Sequence, residues 1–157
     1  MQLSAEQQQQ LSSTLSAEYA CAQSLLDLLQ KEHRILKSTD ADALNSISRE
    51  KQQLVIRMHR HGKEREQLVS RLQPGGNTND LLRHRPESEL TRLWKQLGEI
   101  AAKLQQQNEI NGGMVALNQR HARQALDILC GRSGNREIYG SRGEYRQMES
   151  GKPLAKA

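Results

Sequence analysis

The chain has 157 residues, a formal charge of +5, 35% hydrophobic residues and no phenylalanine; its mean hydropathy is −0.82 and its pI about 9.5. That is one domain by length, with too little apolar material for a thick globular core but enough for long helices that each bury a narrow stripe. Three prolines and abundant Leu, Ala, Gln, Glu, Lys and Arg match the composition of coiled coils, and no run approaches the roughly 18 apolar residues of a membrane span.

The glutamine-rich start, Met1 to Gln10, has neither the basic nor the apolar region of a signal peptide, so a cytoplasmic location is expected. Ser4 and Gln7 form a capping-box pattern opening the first helix, expected over about 4–37. Leu11, Leu15, Ala22, Leu25, Leu29 and Leu36 then recur at steps of four and three, interrupted only by Glu18 and Glu32. This 3.5-residue repeat marks a left-handed supercoiled seam. Leu26, Leu28 and Ile35 widen the stripe, so the helix is expected to touch two neighbours.

Ser38 to Asp42 reads as a turn and a helix start, with Thr39 or Asp40 as the cap. The second helix, about 40–72, carries Leu44, Ile47, Leu54, Met58, Leu68 and Leu72 on the same spacing. Lys51 and Arg65 fall on that seam and are expected to snorkel to its edge. Gly62 costs this helix up to about 1 kcal/mol against alanine. The short connection predicts that the two helices form an antiparallel hairpin.

Gln73-Pro74-Gly75-Gly76-Asn77 stops the second helix. These glycines are no phosphate cradle, because the Gly-Lys-Ser/Thr ending of a P-loop is missing. Asn79 to His84 has room for a short helical turn, and Pro86 suits the first position of a third long helix over about 86–129. Its first half offers Leu90, Leu93, Trp94, Leu97, Ala101 and Leu104. Its middle is polar, with Asn108 and Asn111 as a candidate register-setting layer before Gly112-Gly113. Apolar residues return at Met114, Val115, Leu117, Ala122, Ala125, Leu126 and Leu129.

These elements predict an all-α fold: an elongated three-helix antiparallel coiled-coil bundle over 1–130, with 131–157 as a mobile basic tail. Helices one and two would be about 50 Å long and helix three about 65 Å, so the last turns of helix three, with Leu126 and Leu129, would lack cover from their own chain. An uncovered apolar stripe marks a partner site.

The chemistry of catalysis is not in evidence. His59 and His61 are two apart on a helix and point in different directions. No Cys/His spacing fits a metal site and no Gly-x-Ser-x-Gly or Cys-His constellation occurs, so no enzyme, metal, cofactor or small-molecule substrate is expected. Cys21 and Cys130 would lie roughly 40 Å apart in such a bundle and are expected to stay reduced. The basic residues between Arg57 and Arg71 alternate with Glu64 and Glu66, while the tail holds six basic and three acidic residues. Four aromatics leave little for stacking on bases, so nucleic acid is not an expected partner.

Leu93-Trp94-x-x-Leu97, Asn108-x-x-Asn111-Gly112, Leu126 near the helix end and Ile138-Tyr139-Gly140-x-x-Gly143 together resemble the FlgN family of flagellar type III export chaperones. The Leu-rich helices ahead of Trp94 and the total length are similar to that family too. The resemblance implies a cytosolic chaperone that holds hook-associated junction proteins unpolymerised; a monomer or weak dimer is expected. Its C-terminal portion would bind an amphipathic C-terminal helix of the client, here through Val115, Ala122, Leu126 and Leu129. Ile138 and Tyr139 would dock on the membrane protein of the export gate. The tail after Tyr139 is more basic and glycine-rich than that family's pattern. A self-associating coiled-coil adaptor is the alternative reading, followed by a weak nucleic-acid binder using the tail.

Overall fold

The computed structural model describes residues 2–38 and 40–131. The described residues form four helices: α1 (Ala5–Leu36), α2 (Ala41–Leu72), α3 (Thr78–Leu82) and α4 (Glu89–Leu129). The chain divides into two compact units, Met1–Gly112 and Gly113–Ala157, and α4 contributes to both. The all-α expectation holds. The helix count differs, because the segment after Asn77 forms the separate short helix α3.

Each helix start has a local cause. Ser4 and Gln7 make the expected capping box on α1: the Ser4 hydroxyl accepts from the Gln7 N–H at 3.2 Å, and the Gln7 side chain accepts from the Ser4 N–H at 2.8 Å. Asp40 caps α2 by accepting from the Ala43 N–H at 3.0 Å, whereas Thr39, the other candidate, lies outside the described residues. Asn77 and Asp80 form a second capping box on α3, a pair not anticipated from sequence. Pro74 followed by Gly75 at φ 80° turns the chain between α2 and α3, closed by the Gly76 N–H donating to the Gln73 carbonyl at 3.0 Å. Pro86 lies in a turn ahead of α4, which begins at Glu89 rather than at the proline. The cause is Ser88, whose hydroxyl accepts from the Thr91 N–H at 3.2 Å and so performs the N-cap's task three residues later than expected.

Within the first unit, α1 and α2 run in opposite directions, as the pairings of Glu18 with Arg65 and Glu32 with Lys51 require. The expected α1 seam is buried at every position, including its two glutamates. The seam of α2 is buried at Ile47, Leu54, Leu68 and Leu72, with Leu44 and Met58 half-buried. In α4 the inward positions are Leu90, Leu97 and Ile100, with Leu93, Trp94 and Leu104 half-buried. Ala101, expected on this seam, is exposed; the neighbouring Ile100 has the larger apolar side chain to gain from burial. Leu90, Leu97 and Ile100 share a cluster with Leu3, Leu11 and Leu15 of the N-terminal region and Leu68, Val69 and Leu72 of α2. A second cluster gathers Cys21, Leu25, Leu28, Leu29, Ile47 and Leu54, and Met58 and Leu104 pack against both.

Two charged layers cross this core. The Arg65 guanidinium donates to the Glu18 carboxylate from Nε at 2.8 Å and from a terminal nitrogen at 3.4 Å, and to the Thr78 hydroxyl at 3.1 Å. It also stacks over the Trp94 ring at 4.8 Å, while the indole N–H donates to Asn79 Oδ1 at 2.7 Å. In the other layer Glu32 accepts from Lys51 at 3.3 Å and from the Asn111 amide at 2.7 Å. Asn111 also donates to the Leu29 carbonyl at 2.8 Å and accepts from Gln107 at 3.0 Å. The seam cations therefore turn inward onto glutamates of α1 instead of snorkelling away, since an unpaired buried carboxylate costs more than ordering a long side chain. Asn111, at 1% exposure, supplies the polar layer. Asn108, its expected companion, is exposed.

Gly98, inside α4, has no atom within 4 Å of where a Cβ would stand. Gly98→Ala is expected to raise unfolding free energy by about 0.5–1 kcal/mol through helix propensity alone, read as a higher urea midpoint at unchanged slope.

Candidate partner-binding surface

The second unit offers no core of its own among the described residues: of 113–131, Asp127 alone is buried. Α-helical geometry carries α4 through this stretch to Leu129, where Gly131 at φ 72° ends it and the Cys130 and Gly131 N–H groups donate back to the carbonyls of Leu126 and Ile128. The last turn is therefore properly terminated although its apolar side chains are uncovered.

Val115 is 38% exposed, Leu126 57% and Leu129 82%, and Ala122 is exposed as well. Steps of seven, four and three residues place these four on one face of the helix. The structure thus brings together all four expected partner-binding positions, in one row and in solvent. Leu117, at 45%, and Ile128, at 64%, are equally uncovered. The sequence reading did not single them out as binding residues, although their exposure is of the same order and the signal was available in their spacing. Arg120 and Arg123 are exposed on the same stretch, and they would favour acidic groups flanking whatever apolar partner settles there. Ile138 and Tyr139 lie outside the described residues.

The exposed side chains of this row are apolar. Among the described residues no group of His, Cys, Asp and Glu could hold a metal ion, and no helix is long and apolar enough to cross a membrane. The cavity between α2, the start of α3 and Trp94, about 340 Å³, is lined by Arg65, Thr78, Asn79 and Trp94, with Arg65 donating to the Thr78 hydroxyl and the Trp94 indole N–H to Asn79.

Cys21 and Cys130 are both free. Cys21 is buried, its thiol set against the Leu54 carbonyl at 3.8 Å, and burial pushes its pKa up, opposed by Arg57 and Arg60. Thiolate is the reactive form, so a thiol reagent at neutral pH is expected to modify Cys130 at once and Cys21 only after unfolding. Two equally fast thiols would contradict the packing around Cys21.

The family model described as FlgN protein matches residues 1–147. No curated protein and no solved structure matches this chain.

Proposed function

The chain belongs to the FlgN family, and on that premise we propose that it is a flagellar export chaperone that binds the C-terminal helices of hook-filament junction proteins, prevents their premature assembly and delivers them to the type III export gate. The observation that carries this reading is the uncovered row Val115, Ala122, Leu126 and Leu129 on a helix that is otherwise complete. A client helix that polymerises through its own apolar stripe is kept apart from its assembly partners when that stripe lies on this row. The work is done in the cytoplasm, before export, and calls for no cofactor, metal or catalytic group.

The magnitudes favour reversible binding. Val115, Leu126 and Leu129 are 38%, 57% and 82% exposed, so covering what remains open contributes roughly 3–5 kcal/mol, against an association cost of about 4–15 kcal/mol. One row of this length therefore gives at most a modest affinity by itself, which suits a chaperone that must release its cargo.

Mixing the purified protein with each junction protein and measuring mass by light scattering tests the reading. A 1:1 complex with at least one of them is expected. Homodimers with no client complex would instead favour a self-associating adaptor, and salt-dependent DNA binding would favour a nucleic-acid role. Ile138 and Tyr139 are proposed as the contact with the gate membrane protein, on the resemblance of Ile138-Tyr139-Gly140 to the family's tail. Tyr139→Ala is then expected to bind client normally yet export it poorly, and normal motility of that variant would count against the contact.

A further inference from the structure

The stretch from Gly113 to Leu129 exposes more apolar surface than one client helix can cover. At about 100° per residue, Val115, Ala122, Leu126 and Leu129 fall within roughly 60° of one another. Met114, Leu117 and Ile128, with His121 between them, form a second line about 120° further round, on steps of three, four and seven residues. Leu117 and Ile128 are 45% and 64% exposed on that line, and Met114 is half-buried. The remaining third of the circumference carries Arg120, Arg123 and Asp127. A helix meeting one neighbour shows one apolar stripe; two stripes on separate faces are the pattern of a helix lying between two neighbours.

We propose that this segment takes two helices of the same bound client, one along the Val115–Leu129 row and the other along the Leu117–Ile128 line. The proposal rests on the chaperone reading and says what the client must present: a pair of adjacent amphipathic helices, each with an exposed 3.5-residue apolar repeat and acidic flanks. Area is the first reason. A stable protein interface buries about 1,200–2,000 Å², and four side chains, one of them alanine, fall short of that, whereas two rows over the same helical turns approach it. Charge is the second. Arg120 and Arg123 lie on the third face, between the two rows, where they favour acidic groups on a neighbouring helix. A client helix with acidic flanks is drawn to both.

The test uses the full chain, a full-length junction protein, and a synthetic peptide of that protein's C-terminal helix. Leu117→Asp with Ile128→Asp is expected to weaken binding of the full-length client by about tenfold or more while changing peptide affinity less than about twofold. Wild-type affinity for the full-length client in this variant overturns the proposal. So does an equal loss for client and peptide, which would mean one continuous groove, and so does loss of a homodimer with client affinity unchanged. Should the aspartates perturb folding, seen as a lowered melting temperature, Leu117→Gln with Ile128→Gln gives the same comparison. Failure of the wild-type protein to bind either probe would remove the chaperone reading itself, an outcome distinct from failure of the two-helix arrangement.

Discussion

Arg65→Met is expected to destabilise the first unit by about 3–5 kcal/mol, the cost of stranding a buried carboxylate. Glu18 is 5% exposed, and Arg65 meets it through two nitrogens at 2.8 and 3.4 Å. Methionine keeps most of the arginine stem, so the loss reflects the unpaired charge of Glu18 together with the lost Thr78 and Trp94 contacts rather than a cavity. Urea unfolding should show a lowered midpoint at an unchanged slope. Adding Glu18→Leu to Arg65→Met should recover most of the loss, because an apolar pair of suitable volume often replaces a buried ion pair without penalty. Lys51→Met should cost less. Lys51 is 29% exposed, and Glu32 would keep its bond from the Asn111 amide. A loss below about 1 kcal/mol for Arg65→Met would mean that water reaches Glu18 and that the layer is not sealed.

Leu126→Asp combined with Leu129→Asp is expected to weaken client binding by more than about a hundredfold, taking roughly 1.5–2 kcal/mol for each apolar contact replaced by a charge. The same variant should unfold within about 0.5 kcal/mol of wild type, because substitutions at exposed positions seldom do more and these side chains are 57% and 82% exposed. Calorimetric titration with client and a thermal melt of the free protein separate the two effects. A substantial drop in melting temperature would show the leucines buried against their own chain in solution.

The contrast between these variants shows what could be read from the residues alone. The α1 seam was fully legible, because a Leu-rich 3.5-residue repeat leaves one way to bury its stripe, and even the interruptions at Glu18 and Glu32 fell where expected. Their partners were visible too, as Lys51 and Arg65 on the α2 seam. The pairing itself was not legible, since the choice between snorkelling and crossing the core depends on register. That register follows once the helices face each other: Glu18 and Glu32 are two heptads apart, as are Lys51 and Arg65, so one antiparallel alignment satisfies both pairs. Sliding by one heptad would set Glu18 against Met58 and bury a lone carboxylate. In α4 the weaker pattern misled. Leu93 and Trp94, and then Ile100 and Ala101, offer adjacent apolar residues, and only packing decides which turns inward. Asn79 and Thr78 gave no signal at all, because their roles arise from the first turn of α3 meeting Trp94 and Arg65 across sequence separations of 15 and 13. For the proposed binding surface, the spacing of Val115, Ala122, Leu126 and Leu129 was legible in the residues, and their exposure is what the structure adds. Leu117 and Ile128 are eleven positions apart with His121 between them, so their shared face is a weaker sequence signal than the row ending at Leu129.

The chain contains a single tryptophan, and its position gives the molecule a built-in optical gauge. Trp94 lies beneath Arg65, with its indole nitrogen held by Asn79, so its emission colour and anisotropy depend on the place where α2, α3 and α4 converge. The purified protein can therefore be followed without a label, since emission from one indole reports whether the contacts of Arg65 and Asn79 with that ring persist as the first unit unfolds.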